Sequence, residues 1–341
     1  MSGTSLDGLD ICYSSFEKNE NSAWNFEILK TETFPYPNKW QKKLLKSIDM
    51  NAMDLLELNS AYGFYLGEQV REFIKKNHIE KVDVIASHGH TVFHQPKKKF
   101  TLQIGDGRAI KIINNLPVVY DFRSQDVLLG GNGAPLVPIG DELLFGEYDA
   151  CLNMGGFSNI SMNMEGKRIA FDICPVNIVS NHYAEKLRKK FDENGEIAKS
   201  GNVNNEVLEK INHLKFYKET GPKSLGREWV VKEIFPMLDK LKPEDALATL
   251  TEHAAEKISE IFKIYHLKNV LVTGGGAYNT YLISKIREKS DTSVIIPEKT
   301  IVDFKEALIF AFMGALRIRN EINVLSSATG SAKDHCTGIL V

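Results

Sequence analysis

Apolar and polar positions in this 341-residue chain follow two different periods. In long stretches, apolar residues recur at helical spacing with charge on the opposite face, which predicts amphipathic helices. These stretches are residues 40–48, 53–77 and 244–265. Between and after them lie short apolar runs, each ending in a loop that carries glycine or a carboxylate, which predicts strands. These runs are residues 82–87, 117–120, 150–153 and 269–273. The alternation predicts an α/β fold with ligands bound where strands end.

The first ten residues combine two glycines, several hydroxyls and two carboxylates in one predicted turn, followed by a predicted strand at residues 9–16. Glycine lets the backbone approach a ligand, hydroxyls can donate to phosphate oxygens, and carboxylates can hold magnesium through water. An exposed turn has the same composition, so the stretch alone leaves both interpretations open. The candidate nucleotide-binding residues here are Gly3, Thr4, Ser5, Leu6, Asp7, Gly8, Leu9 and Asp10. Asp7 and Asp10 are also the candidate metal ligands.

The position of this turn is unusual, because a phosphate-binding loop normally follows a strand or joins two strands. Only Met1 and Ser2 precede Gly3. We therefore expect the natural product to begin several residues earlier with an apolar strand, and Met1 to be an internal methionine.

A second glycine-bearing segment lies near the middle of the chain. At residues 152–160 a predicted strand runs into two adjacent glycines and a second strand leaves them, a pattern typical of a hairpin. Its backbone amides can bind phosphate, and an ordinary hairpin tip is the alternative. The candidate residues are Asn153, Gly155, Gly156 and Asn159.

A third segment, residues 270–279, is a predicted buried strand that opens into three glycines before a predicted helix at residues 280–289. A strand, a glycine loop and a helix N-terminus allow close backbone approach to a nucleotide. The segment matches neither a Walker loop nor the GxGxxG pattern. The candidate residues are Gly274, Gly275, Gly276 and Asn279.

Composition narrows the function classes. The formal net charge of −2 and the even scatter of lysine with glutamate argue against a nucleic-acid surface, and we interpret the basic run at residues 97–99 as a solvated loop. The four cysteines are far apart without CxxC spacing, so neither a disulfide framework nor a zinc site is indicated. With no apolar run long enough to span a bilayer and no signal peptide, we expect a cytoplasmic protein that acts on metabolites and not on membranes.

The order of the three glycine segments resembles the two phosphate elements and the adenosine element of the superfamily of actin, sugar kinases and heat-shock chaperones. Within it, the chain closely resembles the anhydro-N-acetylmuramic acid kinase family over nearly its whole length. The matching motifs are GTSLDGLD at 3–10, SHGHT at 87–91, DFR at 121–123, GGNGAPLVP at 130–138, NMGGFSN at 153–159, ATLT at 248–251, TGGGA at 273–277, EALIFA at 306–311 and TG at 329–330.

The resemblance implies a kinase that uses ATP and Mg²⁺ on the sugar 1,6-anhydro-N-acetylmuramic acid during cell-wall (peptidoglycan) recycling. Water would open the anhydro bridge while the freed O6 takes the γ-phosphoryl group, giving N-acetylmuramic acid 6-phosphate. The position that matches the family's catalytic base is Asp172.

Three candidate catalytic residues each have a structural alternative. Asp172, after the second hairpin, can act as a general base near the γ-phosphate or cap a helix before Pro175. Arg123 can bind a sugar or phosphate anion, or pair with a nearby aspartate, Asp121 or Asp126. Glu306 resembles a family carboxylate at the sugar or water; alternatively it is a surface glutamate in the first turn of the last long helix.

His88, His90 and Asn177 are the candidate substrate-binding residues. A strand end followed by glycine does not place His88, His90 and His94 on one face, so a zinc site is not predicted. The family has glutamine where this chain has His90, whose charge can follow pH.

The chain departs from the family most at the catalytic segment, which usually reads FDTGPGN. Here Ile173, Cys174 and Val176 replace the threonine and two glycines, and Asn181 stands near a later family aspartate. Added side chains are expected to stiffen this loop and narrow the space above it. One alternative to a kinase is therefore a non-catalytic ATP and sugar sensor that has lost turnover through these changes. Another ATPase of the superfamily is a separate alternative.

The resemblance also implies a two-domain, actin-like (ribonuclease H-like) α/β fold with ATP and sugar in an interdomain cleft. We expect a first domain of residues 1–122 plus 306–341, lacking its first strand, and a second of residues 123–305, with the crossing near residues 121–123. The cleft is expected to close on its ligands. A homodimer is expected from the family.

Overall fold

The protein contains both helices and strands in the residues that the computed structural model describes, which are 1–2, 6, 8–20, 22–219 and 223–341. The strands are Gly8–Lys18 (β1), Trp24–Pro35 (β2), Ile85–Ser87 (β3), His90–Gln95 (β4), Phe100–Ile104 (β5), Val118–Tyr120 (β6), Ala150–Met154 (β7), Phe157–Met164 (β8), Lys167–Pro175 (β9), Asn269–Thr273 (β10), Ser293–Ile295 (β11) and Ile339–Leu340 (β12). The predicted α/β class is confirmed.

The helices follow the same chain order. They are Asn38–Lys46 (α1), Ala52–Lys76 (α2), Gly107–Asn114 (α3), Ser124–Leu128 (α4), Pro138–Leu144 (α5), Asn177–Lys186 (α6), Glu196–Ser200 (α7), Asn205–Asn212 (α8), Lys215–Lys218 (α9), Arg227–Trp229 (α10), Phe235–Leu238 (α11), Pro243–Ile264 (α12), Thr280–Lys289 (α13), Lys299–Ile318 (α14) and Ser326–Thr329 (α15). A π-helical turn, Val230–Ile234, joins α10 to α11.

The chain divides into two compact units. The first comprises Met1–Leu144 and Phe304–Val341, and the second Phe145–Asp303. Helix α14 begins in the second unit and continues into the first. The domain limits and the ligand-binding cleft predicted from the sequence stay predictions.

The second unit is built on a sheet in the order β11-β10-β7-β8-β9. Strands β11, β10 and β7 run parallel, whereas β8 and β9 are antiparallel additions. The inner strands β7 and β10 are nearly continuous apolar runs because a parallel sheet is covered on both faces. Leu152 and Val272 accordingly have no exposed surface, and Ile258 and Phe262 of α12 belong to the same buried cluster.

Helix α12 supplies much of that core. Pro243 occupies its first turn together with Glu244 and Asp245, as the N-terminal dipole favours. Its buried face carries Ala254 and Ile258, matching the helical period predicted over residues 244–265.

The first unit contains the antiparallel pair β1–β2, the pair β4–β5 and a sheet in the order β12-β6-β3. Its core gathers Tyr62 and Leu66 of α2 with Ile110 of α3. Residues 9–13 of β1 and 84–87 at β3 line a shared apolar cavity of about 110 Å³.

The stronger sequence patterns agree with these elements. The helices predicted at 40–48, 53–77 and 280–289 correspond to α1, α2 and α13, and the strands predicted at 9–16, 82–87, 117–120, 150–153 and 269–273 to β1, β3, β6, β7 and β10. Within the described residues, no helix is both long and apolar enough to cross a membrane.

His253 on α12 is a buried, neutral residue that joins helices within the second unit. Its Nδ1 lies 2.6 Å from Asn212 Oδ1 and its Nε2 lies 2.8 Å from the Tyr217 hydroxyl. Because the Asn212 amide nitrogen donates to Glu256, its oxygen is the acceptor, so His253 Nδ1 donates and Nε2 accepts from Tyr217. Burial lowers the pKa of His253 to about 3.

This pKa makes stability depend on pH. Below about pH 6.5 the unfolded chain protonates His253 and the folded protein does not, so the free energy of unfolding falls as pH drops from about 6.5 towards 3. We expect His253→Gln to be less stable at pH 7 by about 1–2 kcal/mol, and to lose stability less steeply between pH 6.5 and 4. Urea unfolding across this range measures both effects. The exposed His213→Gln is the control, and an unchanged slope in His253→Gln would contradict the assignment.

Candidate active site

The hairpin between β7 and β8 presents two glycines whose backbone is fixed by the start of α6. The amides of Val176 and Ile178 donate to the Gly156 carbonyl at 2.9 and 3.1 Å, and the Asn177 amide donates to the Gly155 carbonyl at 3.2 Å. A Cβ added at Gly155 or Gly156 would meet no described atom closer than 3.6 Å, and neither φ is left-handed. Protein packing therefore does not require glycine at either position, which fits a loop that a ligand approaches closely.

The loop at residues 274–276 packs against this hairpin and requires glycine for a different reason. Strand β10 pairs in parallel with β7, so Thr273 lies opposite Asn153. Gly274 has φ +82°, and a Cβ there would lie 2.5 Å from Asn153 Oδ1. A Cβ at Gly276 would lie 2.7 Å from the Met154 Cβ. The sheet thus brings the second and third predicted glycine segments together.

Polar residues continue from this point across the antiparallel strands. Asn153 of β7 is paired with Asn159 of β8, which is paired with Asp172 of β9. Directly paired residues project from the same face of a sheet, so the three form one row. All three side chains are half-buried, whereas neighbours such as Leu152 and Ile160 are fully buried. We call Asn153, Asn159 and Asp172 the polar row.

Asp172 lies within β9 and not at a helix start. Its amide donates to the Lys223 carbonyl at 2.9 Å, and its Oδ2 accepts from the Leu225 amide at 2.7 Å. Burial raises the pKa of Asp172, while the bond from Leu225 lowers it. The N-cap of α6 is Val176, without a side-chain cap, so the alternative of Asp172 as a helix cap is wrong.

The three side chains that depart from the family pattern are buried in the core of the second unit. Ile173, Cys174 and Val176 are at most 4% exposed and belong to the buried cluster of the second unit. Cys174 Sγ lies 3.2 Å from the Ser158 hydroxyl, and burial raises the thiol pKa to about 12. These side chains therefore do not narrow the space above β9, contrary to expectation, because they point into the core.

Asn177 and Asn279 have structural contacts of their own. The Asn177 amide nitrogen donates to the Met154 carbonyl at 3.3 Å. Asn279 caps α13, because its Oδ1 accepts from the Leu282 amide at 2.9 Å. Both lie beside the glycine loop, Asn177 within 3.5 Å of a Cβ placed at Gly275.

In the first unit, Arg123 and His88 form a defined pair. Arg123 Nε donates to His88 Nε2 at 2.9 Å, and its Nη1 donates to the Gly133 carbonyl at 2.5 Å. His88 Nδ1 lies 2.9 Å from the Gly89 carbonyl, so Nδ1 carries the proton and the ring is neutral. Burial and the Arg123 charge hold the pKa of His88 well below its usual value. The described contacts of Arg123 are thus with His88 and Gly133 and include no ion pair with an aspartate.

Asp126 instead organises the loop that follows Arg123. Its Oδ2 accepts from the Gly133 amide at 2.6 Å and its Oδ1 accepts from the Thr329 hydroxyl at 2.7 Å. Because Asp126 has no exposed surface, it acts as a structural anchor for the family motifs at 130–138 and 329–330.

His90 on β4 is buried, and its Nδ1 has no hydrogen-bond partner among the described residues. Burial lowers the pKa of His90, so the ring is neutral near pH 7. On the neighbouring strand β5, Gln103 Oε1 is likewise buried and without a partner in the described chain. Unpaired buried polar atoms are costly, so both can serve a ligand that carries hydroxyl groups.

Glu306 lies in the middle of α14 and not in its first turn, because the helix already begins at Lys299. The alternative of a glutamate favoured by the helix N-terminus is therefore wrong. The residue is exposed at the surface. Partial desolvation by the surrounding protein raises the pKa of the Glu306 carboxyl, and the positive charge of Arg123 opposes this rise.

The first glycine segment is described only in part. Gly3, Thr4, Ser5 and Asp7 lie outside the described residues. Around them, Ser2 pairs with Leu9, and the amide of Asp10 donates to the Met1 carbonyl at 2.9 Å. Asp10 Oδ1 accepts from the Thr33 hydroxyl at 2.6 Å.

In the rest of that segment, Gly8 is fixed by packing and Leu6 by its backbone. A Cβ at Gly8 would lie 2.7 Å from the Phe34 carbonyl oxygen. Leu6 has φ +56°, and its carbonyl accepts from Gln41 at 3.2 Å.

Sequence reasoning missed Thr273, Gln103 and Leu225. Thr273 could have been found as the polar end of an apolar strand, like Asn153. Gln103 becomes notable only through its unpaired oxygen, and Leu225 contributes a backbone amide, which no side-chain pattern reveals.

Comparison with known proteins agrees with these motifs. A sequence model of the family described as anhydro-N-acetylmuramic acid kinase matches residues 1–341. The chain belongs to the anhydro-N-acetylmuramic acid kinase family. This confirms the resemblance stated from the motifs and the prediction that the protein is a kinase, an enzyme that transfers a phosphoryl group.

Individual relatives of the family are similar over nearly the whole chain. The anhydro-N-acetylmuramic acid kinase of Francisella tularensis subsp. novicida is 33% identical, covering 97% of this chain and 94% of that protein. The one of Bacillus cereus is 32% identical, covering 99% and 97%. Among solved structures, a ROK family glucokinase from Streptomyces griseus in complex with glucose and AMPPNP aligns at 11% identity and a TM-score of 0.39, covering 85% of this chain and 92% of that one.

Substitution by alanine should affect ligand binding at Gly155 and Gly156 but stability at Gly274. We expect Gly155→Ala and Gly156→Ala to change the free energy of unfolding by no more than about 0.5 kcal/mol and to weaken ATP binding at least about tenfold, because the methyl group would displace a bound phosphate. Gly274→Ala is the contrasting control and should lose about 1–3 kcal/mol of stability, since its φ is left-handed. Calorimetric titration and urea unfolding give both values. Stable Gly155 and Gly156 variants with wild-type ATP affinity would contradict the assignment.

Proposed function

We propose that the protein uses ATP to phosphorylate 1,6-anhydro-N-acetylmuramic acid while opening its anhydro bridge with water. The product is N-acetylmuramic acid 6-phosphate, and the role is peptidoglycan recycling. Family membership over the full chain supports the substrate. The observation that carries the mechanism is the position of Asp172, in one polar row with Asn153 beside the two glycine loops.

Asp172 acts as the general base. The water oxygen bonds to C1 of the sugar as the C1–O6 bond breaks, and the water proton passes to the Asp172 carboxylate. O6 bonds to the γ-phosphorus as the bond to the ADP oxygen breaks, so ADP leaves. Burial raises the pKa of Asp172, which makes its carboxylate a stronger base than an exposed aspartate.

ATP binds through backbone amides. Gly155 and Gly156 offer a loop without steric need for glycine, and residues 274–276 lie against it at the end of β10. Residues 3–10 supply the other phosphate loop in this proposal, and Asn159 and Asn279 flank the nucleotide.

Asp10, with Asp7, would hold Mg²⁺ through water. The described carboxylate of Asp10 fits this role, since its Oδ1 is oriented by the Thr33 hydroxyl. Bound magnesium supplies charge neutralisation at the phosphates.

Arg123, His88, His90, Asn177 and Glu306 bind and orient the sugar, and Gln103 joins them. Neutral His88 fixes the Arg123 guanidinium, which is suited to an anion such as the sugar carboxylate. The unpaired atoms of His90 and Gln103 suit sugar hydroxyls. A cytoplasmic location and a homodimer are part of the same proposal and rest on the family.

The structure removes the argument that favoured a non-catalytic sensor. That argument was based on the side chains of Ile173, Cys174 and Val176, which belong to the buried core of the second unit.

The test is mass spectrometry of the sugar after incubation with ATP, magnesium and 1,6-anhydro-N-acetylmuramic acid. The wild-type product should gain one phosphoryl group and one water, and Asp172→Asn should lower the rate about 10²- to 10⁴-fold, because the base is lost. Glu165→Gln, at the opposite end of β8, is the matched control and should retain full activity.

Two outcomes would contradict the proposal. Gain of a phosphoryl group without water would indicate an ordinary sugar kinase. Binding of both ligands without any product would support the sensor.

A further inference from the structure

Strand β9 is the edge strand of its sheet, and a loop segment covers its outer edge beside Asp172. The Asp172 amide donates outward to the Lys223 carbonyl at 2.9 Å. Two residues on, the Leu225 amide donates to Asp172 Oδ2 at 2.7 Å. In a regular ladder that amide would bond a backbone carbonyl of the neighbouring strand. Here it bonds the candidate catalytic carboxylate.

The inner side of β9 is irregular at the same place. Asn159 pairs with Asp172, but its neighbour Ser158 pairs with Cys174, so Ile173 is an extra residue. Such a bulge bends a strand and re-aims a side chain. The ladder to β8 is thus interrupted beside Asp172, where the outer segment provides its two bonds.

The segment is itself held in place. Lys223 Nζ donates to the carbonyls of Phe216 and Glu219, both at 3.0 Å, and lies 4.4 Å from the Phe216 ring centroid. Next to Phe216, the Tyr217 hydroxyl is fixed by buried His253 of α12. The position of Lys223 therefore depends on side chains anchored in the core.

Few other charges act on Asp172 within the second unit. Cys174 on the same strand is a neutral thiol, because burial raises its pKa to about 12. The ammonium groups of the cations closest in sequence or on the packed helix have other partners: Lys223 Nζ donates to two backbone carbonyls, and Lys257 Nζ of α12 lies 2.9 Å from Glu260. Among the described residues, the hydrogen bond that reaches the Asp172 carboxylate is the one from Leu225.

We propose that the backbone of Lys223 and Leu225 positions Asp172, holding Oδ2 so that Oδ1 is the atom that takes the water proton. This inference rests on the proposed function of Asp172 as the base. A short hydrogen bond to a charged oxygen is strong and directional, so it fixes the carboxylate rotamer. Leu225 is a positioning residue that acts through its N–H group.

The same bond favours the ionised form of Asp172. Burial alone would raise its pKa, and the Leu225 bond opposes that rise. Activity requires the ionised base, so it should increase with pH through the pKa of Asp172, and loss of the bond should move this acid limb to higher pH.

The experiment removes the N–H group and compares it with removal of the side chain. Leu225→Pro lacks the donor, and Leu225→Ala keeps it. A third protein carries the α-hydroxy acid analogue of leucine at position 225, which replaces only the N–H by oxygen. If thermal unfolding shows that Leu225→Pro is misfolded, the ester variant is compared with Leu225→Ala and the wild type instead.

Two readouts are taken on each full-length protein. Carbon-13 NMR of aspartate carboxyls, with Asp172→Asn to identify the signal, gives the pKa of Asp172 without reference to activity. The pH profile of kcat/KM gives the acid limb. We expect Leu225→Pro and the ester variant to raise the pKa of Asp172 and the acid limb of the profile by roughly one pH unit. In both variants kcat should fall while KM for ATP stays unchanged. Leu225→Ala should resemble the wild type in every readout.

The outcomes separate this inference from the proposed function. An Asp172 pKa that is equal in all variants overturns the positioning role. If the pKa of Asp172 shifts while the acid limb of kcat/KM does not, the hydrogen bond is confirmed. Asp172 is then not the base, so both the proposed function of Asp172 and this inference are overturned.

Discussion

The parallel pairing of β7 with β10 determines the rest of the candidate site. It places Thr273 opposite Asn153, so two loops that are more than one hundred residues apart in sequence leave the sheet at the same end. The antiparallel strands β8 and β9 then extend this end sideways to Asp172. Ligands of open α/β sheets bind at the carboxyl ends of the strands, which is where both loops lie.

Glycine has two distinct uses around this pairing. At Gly274 and Gly276 it is required by the protein, since a side chain would meet Asn153 or Met154. At Gly155 and Gly156 the protein leaves space, and a ligand that comes close to the backbone explains their small size. The loop at residues 274–276 thus packs tightly against the end of β7, next to the loop at Gly155 and Gly156 where space remains.

Sequence reasoning found the segments but not always the role of a side chain. The strand containing Asn153 follows from an apolar run, whereas the polar row of Asn153, Asn159 and Asp172 depends on the register between strands, which no local pattern encodes. Asp172 was also compatible with a cap before Pro175. That alternative failed because β9 continues through Pro175 and α6 begins without a side-chain cap.

Two other expectations depended on what packs against a residue. Glu306 was expected in the first turn of the last long helix, yet α14 begins at Lys299. Ile173 and Cys174 were expected to crowd a loop, but the sheet turns them into the core. Burial of a particular side chain is a tertiary property, so the motif alone could not decide it.

The most direct test of the account is the NMR spectrum of protein labelled with ¹⁵N-glycine, recorded while a non-hydrolysable ATP analogue and magnesium are added. We expect the amide signals of Gly155, Gly156 and Gly275 to shift, and that of Gly166, at the far turn between β8 and β9, to stay unchanged. Saturable binding that leaves Gly155 and Gly156 unchanged would contradict the claim that this end of the sheet holds the phosphates.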